Sequence, residues 1–155
     1  MLSMEMLQDA QRILDPVINH TPVVATKDIV PDCEFYLKAD CLQKTGAFKL
    51  RGAYYKIATL SDEEKARGVI ACSAGNHAQG VAFAARDMGI PATICIPEGA
   101  PLSKIEATRS YGAHVVLVPG VYDDAYTEAA RLCKEQQLTF IHPFNDYSVM
   151  AGQGT

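Results

Sequence analysis

The 155-residue sequence contains no Cys-x-x-Cys pair, no run of Lys and Arg, no low-complexity segment and no Gly/Ser-rich linker. Nor does it hold the ~18 consecutive apolar residues that a membrane span requires. Each absence removes a class of protein. With 14 basic against 18 acidic residues and no basic stripe, the chain has no means of tracking a phosphate backbone, so nucleic acid is not an expected partner. The amino-terminal stretch MLSMEMLQDAQRILDP carries acids where a signal peptide needs bases, which disfavours secretion and, with the missing span, membrane insertion. Cys33, Cys41, Cys72, Cys95 and Cys133 form an odd set, and Cys72 and Cys95 lie inside apolar runs. Reduced, structural thiols in a cytoplasmic protein fit this usage. His20, His77, His114 and His142 share no metal-ligand spacing, so no metal is expected.

What is present is ordinary globular material, 48% hydrophobic and 21% charged. Leu2, Met6, Ala10, Ile13 and Leu14 recur at helical spacing, and Asp15-Pro16 is expected to end that helix, because proline disfavours helical geometry in the residue before it. Glu34 to Lys38 alternates polar and apolar residues as a half-buried strand does, and a helix is predicted from about Phe48 to Thr59. Ser61 and Glu64 form a capping box for a short charged helix. From Gly68 the texture changes. Apolar runs at Val69–Cys72, Ala92–Ile96, Val115–Val118 and Thr139–Ile141 alternate with helical segments at about His77–Met88, Leu102–Tyr111 and Tyr122–Gln136. Gly89 and Gly112 are placed to end the first two of these helices in the left-handed conformation. The expected fold class is therefore α/β, with a four-stranded parallel sheet covered by helices on both faces and ligands where strand carboxyl ends meet helix amino ends.

Two stretches can carry chemistry. Gln43 to Ala53 runs through a glycine-containing turn into a helix and puts Lys49 in its first turn. The positive end of a helix dipole disfavours an ammonium there, so a partly buried Lys49 should have a lowered pKa and a larger nucleophilic fraction. Read alone, a surface lysine whose stem lies along apolar surface is the stronger reading, since most lysines are solvated. Cys72 to Gly80 is a strand end, a small-residue turn and a helix start. Its free N–H groups suit a carboxylate or phosphate, with Ser73 adding a hydroxyl and Asn76 an amide; a tight turn capped by Asn76 is the plainer alternative.

Together these stretches resemble the fold type II pyridoxal-phosphate enzymes, the tryptophan synthase β-like superfamily, and within it the threonine and serine dehydratases. Thr45–Ala53 looks like that family's cofactor-lysine motif and Ser73–Gly80 like its substrate loop. Pro97–Pro101 and Thr108–Ala113 match framework segments, and His142–Asp146 with Ala151–Thr155 extends the likeness from Thr21 to the last residue. The resemblance implies pyridoxal 5'-phosphate as cofactor, held as an imine by Lys49, with Phe48 against its ring and Asn76 at its phenolic oxygen. It implies that Ser73, Ala74, Gly75, Asn76 and His77 form the substrate loop and bind the carboxylate of a small-molecule amino acid. His77 is expected to act mainly through its backbone.

The implied reaction is deamination of L-threonine, and of serine, to a 2-oxo acid and ammonia, with Lys49 as the base. The resemblance also implies a homo-oligomer for the complete protein. In family terms residues 1–52 are the start of the large cofactor domain, 53–150 the small α/β domain and 151–155 the return toward the large one. Neither a glycine-rich phosphate loop nor a ring-nitrogen partner follows the Gly152-Gln153-Gly154-Thr155 motif, so the chain reads as an amino-terminal fragment, inactive alone. Ala47 replaces a usual Ser, removing a helix cap unless Thr45 substitutes, and Asp40-Cys41 replaces Glu-Asn. Ala74 stands where serine racemases of the family carry a second serine, which favours elimination over inversion. The competing readings are a non-catalytic fragment or binding module and a serine racemase-like enzyme. A Rossmann-type binder is weakened because no Gly-x-Gly-x-x-Gly follows Val69–Cys72.

Overall fold

Residues 1–26, 29 and 32–155 are described by the computed structural model. Helix α1 (Met4–Leu14) opens the chain, with the Ser3 hydroxyl accepting from the Met6 N–H. Strands β1 (Val23–Thr26) and β2 (Phe35–Lys38) pair antiparallel, with Val23 opposite Lys38. A 3₁₀ turn at Asp40–Leu42 leads to α2 (Lys49–Ala58) and α3 (Asp62–Arg67). The capping box on α3 has both its bonds, Glu64 N–H to Ser61 Oγ at 3.2 Å and Ser61 N–H to Glu64 Oε2 at 2.8 Å.

The remainder alternates as β3 (Val69–Cys72), α4 (Asn76–Asp87), β4 (Ala92–Pro97), α5 (Leu102–Ser110), β5 (His114–Val118), α6 (Tyr122–Glu135), β6 (Thr139–Phe140) and α7 (Tyr147–Gln153). The four later strands form one parallel sheet in the order β5-β4-β3-β6. Side chains of a strand alternate between faces. Val69, Ala71, Ile94 and Ile96 share one buried cluster with Leu50, Ile57, Val81 and Ala85, while Ile70, Cys72 and Cys95 share another with Ala125 and Ala129 of α6. The expected parallel sheet with helices on both faces is present. Gly89 and Gly112 adopt φ of 68° and 83°, the left-handed conformation expected after their helices.

Helix α1 ends at Leu14, before Asp15-Pro16 as expected, and Asp15 caps it with helical dihedrals (φ −50°, ψ −47°) and an N–H that still reaches Gln11 O. The steric bias against helix at that position is outweighed by the closing bond. The alternation at 34–38 does yield a strand, but of β2 only Phe35 is partly covered, and Tyr36 and Leu37 are exposed. A two-stranded ribbon has no second layer of its own to bury its apolar face. Strand β1 and helix α7 carry no expectation from sequence.

Helix α2 sits between α4 and α7 at unusually short range. A Cβ on Gly152 of α7 would lie 2.6 Å from Arg51 O and 2.7 Å from Gly52 Cα, and one on Gly52 would lie 2.7 Å from Val149 O. On the other side, a Cβ on Gly80 of α4 would lie 3.2 Å from the Lys49 carbonyl and the Leu50 nitrogen. The glycines of the two later motifs therefore set how closely these helices approach the first turn of α2.

Candidate active site

The turn before Lys49 is held at both ends. Gln43 is buried, and its amide pairs with the backbone of residue 19: Asn19 N–H to Oε1 at 2.9 Å and Nε2 to Asn19 O at 3.0 Å. The same Oε1 accepts from the Lys44 N–H at 3.0 Å, and Gly46, at φ 69°, returns its N–H to Gln43 O at 2.7 Å. Beyond the turn, Arg51 grips Asp40 through Nε at 2.7 Å and Nη2 at 3.1 Å, with only 5% and 11% of the two side chains exposed. Thr21 Oγ1 donates to the same carboxylate at 2.5 Å. The Arg51 guanidinium and the Thr21 hydroxyl hold the Asp40 carboxyl below its ordinary pKa against the opposing effect of burial.

Lys49 is the first residue of α2, as the turn predicts, and its half-buried Nζ donates to Pro143 O at 2.6 Å. Burial lowers its pKa, the direction expected from sequence. The Phe48 ring, half exposed, lies 5.5 Å from the amine. Phe48 is itself the residue that caps α2, no side chain bonds the first turn, and Thr45 Oγ1 is buried without a described partner. Thr45 therefore does not replace the missing serine cap, because its hydroxyl precedes the helix by too many residues to reach the first N–H groups.

The Ser73–His77 loop follows the carboxyl end of β3. Ser73 Oγ accepts from the Gly75 N–H at 3.2 Å, and Gly75 is the cap of α4, with no side chain bonded to the first turn. The alternative of an Asn76 cap is overturned. Asn76 lies inside the helix and its Oδ1 accepts from Lys104 Nζ at 3.2 Å. Its exposed amide and the uncapped N–H groups are left for a ligand. Ala74 packs against the main core. His77 turns inward, with 3% exposure, and its Nε2 lies 2.9 Å from Ile141 O. Burial pushes its pKa down to about 4, an effect that Lys49 and His142 reinforce and the Ile141 bond opposes. The imidazole is neutral at physiological pH and serves the framework.

Lys49 and His77 therefore converge on residues two apart in sequence, Pro143 and Ile141. Sequence reasoning put Ile141 in a strand and His142–Asp146 in a family segment but gave neither a part in the site, since nothing local marks a backbone carbonyl as the partner of a lysine. A half-buried amine of lowered pKa, an aromatic ring beside it and an uncapped helix end form a donor set that fits an aromatic aldehyde cofactor and a carboxylate substrate. Among the described residues no group of His, Cys, Asp or Glu could hold a metal ion, and no helix is long and apolar enough to cross a membrane.

The family model for pyridoxal-phosphate dependent enzymes matches residues 14–155. L-threonine ammonia-lyase of Thermotoga maritima is 53% identical over 157 residues, which cover all of this chain and 39% of that protein. L-threonine dehydratase catabolic TdcB of Staphylococcus aureus is 45% identical over 152 residues, covering 96% of this chain and 44% of that one. Among solved structures, maize serine racemase superposes with a TM-score of 0.92 at 37% identity, over 99% of this chain and 47% of its own. The chain thus spans less than half the length of these relatives. With a family match over residues 14–155 and 53% identity across the whole chain, the chain belongs to the family of pyridoxal-phosphate dependent enzymes.

Proposed function

We propose that this chain supplies the lysine and the substrate loop of an L-threonine dehydratase, which converts L-threonine to 2-oxobutanoate and ammonia and also accepts L-serine. The observation that carries the proposal is the half-buried Lys49 amine, held 2.6 Å from Pro143 O beside the uncapped loop of 73–77. Identity of 53% and 45% to two threonine-deaminating relatives supports the substrate. Residues 1–52 belong to a large cofactor domain and 53–150 to a small one.

Pyridoxal phosphate, when bound, supplies an electron sink that makes the proton on the substrate's α-carbon removable. Lys49 Nζ would hold the cofactor through its aldehyde carbon and is the base placed to take that proton. Its lowered pKa enlarges the neutral fraction available for both tasks. Phe48 would lie against the cofactor ring, the Asn76 amide would meet its phenolic oxygen, and the N–H groups and hydroxyl of Ser73–His77 would bind the substrate carboxylate. Ala74 carries no exchangeable proton and cannot donate one to complete an inversion, which favours loss of the β-hydroxyl.

Borohydride reduction of the complete protein in the presence of pyridoxal phosphate, followed by peptide mapping, should place the pyridoxyl group on Lys49. Labelling at Lys38, Lys44 or Lys56 instead overturns the assignment. The superposition on maize serine racemase favours a second reading, racemisation. Incubating the complete protein with L-serine and separating enantiomers decides between them: pyruvate with little D-serine supports elimination, and the reverse supports racemisation.

A further inference from the structure

We propose that His77 is a positioning residue for Lys49: its imidazole pins the Ile141–Pro143 segment, and that segment covers the lysine amine. The inference rests on the proposed function only for the importance of Lys49, and its geometry stands apart from it. His77 is 97% buried by the complement of its 3% exposure, far more than a residue that meets substrate through its ring. Ile141 O can only accept, so the imidazole nitrogen 2.9 Å away, Nε2, carries the proton and donates. Ile141 itself is fully buried, and its N–H is bonded to Ile70 O at 2.8 Å, which ties the segment to β3. Two residues on, Pro143 O takes the Lys49 amine at 2.6 Å. The segment is therefore held on one side by β3 and on the other by the first turns of α4 and α2.

Burial is what separates the Lys49 amine from an ordinary solvated lysine. Pro143 O accepts the hydrogen bond of that amine, across 94 residues of sequence. Releasing the His77 bond frees the segment, admits water to the amine and returns Lys49 toward ordinary behaviour. The ionisable groups coupled to the imidazole are Lys49 and His142. Because the ring is neutral at physiological pH, its removal takes no charge away from Lys49, and any effect must pass through the position of the segment.

The glutamine side chain places its Nε2 near where a histidine places its own, whereas asparagine stops short. The test compares the wild-type chain with His77→Gln, His77→Asn and His77→Leu by reductive methylation with formaldehyde across pH, mapping each lysine by mass spectrometry. This readout needs neither pyridoxal phosphate nor turnover, so it fails or succeeds independently of the borohydride experiment. The expected result is a Lys49 midpoint that is depressed in wild type and His77→Gln and shifted upward in His77→Asn and His77→Leu by about one unit, a tenfold loss of neutral amine at fixed pH. Lys44, Lys56 and Lys104 should keep their midpoints. Should His77→Leu fail to fold, the asparagine and glutamine variants carry the comparison. A Lys49 midpoint that is the same in all folded variants, or one that moves together with those of the other lysines, overturns the proposal.

Discussion

Replacing Gly152 by alanine tests whether the contact between α2 and α7 is as close as the structure has it. The added Cβ would stand 2.6 Å from Arg51 O, 2.7 Å from Gly52 Cα and 3.0 Å from Arg51 C, all of them backbone atoms of α2. No side chain can swing away, so one helix must move. Overpacking of this kind costs ~1–3 kcal/mol, and contacts this short with backbone belong at the upper end. Alanine in a helix recovers ~1 kcal/mol over glycine, so the net loss should be ~2 kcal/mol, or ~4–8 °C in Tm for a chain of this length. Two controls bracket it. At Gly80 the nearest atoms would be 3.2 Å away, so strain and propensity should nearly cancel. At Gly99 nothing lies within 4 Å, and the change should stay within ~0.5 kcal/mol. Urea titration followed by far-ultraviolet circular dichroism gives the three differences. A Gly152→Ala chain as stable as wild type would refute the packing argument.

Other expectations follow from the same site. Asp40→Ala leaves the Arg51 cation buried without its carboxylate and should cost ~3–5 kcal/mol, measured by the same titration; a loss below ~1 kcal/mol would mean that water reaches the guanidinium. His77 binds its proton more weakly folded than unfolded, about 4 against 6.5, so the unfolded chain takes up a proton first as pH falls. Stability should therefore fall from about pH 6.5 down to pH 4 and then level, by on the order of 3 kcal/mol from this group, and His77→Gln should flatten that window. Lys49 follows the same sign as His77 at higher pH: its lowered pKa means that folding disfavours its charged form below the folded pKa, so Lys49→Met should raise stability at neutral pH while abolishing pyridoxal labelling. A Lys49→Met chain that is less stable at neutral pH would show that the Pro143 bond outweighs the burial of the charge.

What the sequence determines by itself here is local. The capping box at Ser61 and Glu64, the left-handed Gly89 and Gly112, the apolar strands from Val69 onward and the helix that begins at Lys49 each depend on residues within a turn or a strand of one another. The motifs around Lys49 and Ser73–Gly80 are contiguous for the same reason, since a turn that presents an amine or a row of N–H groups is built from neighbours. Helix α7 went unread, although its Asp146 accepts from the Ser148 and Val149 N–H groups as a cap does. The tertiary structure alone decided which distant groups meet. Lys49 finds Pro143 O across 94 residues, His77 finds Ile141 O across 64, and Arg51 finds Asp40 from beyond the turn. A backbone carbonyl has no side-chain identity to announce it, and burial, which lowers the pKa of both Lys49 and His77, is a property of the packed sheet and helices rather than of any stretch of chain.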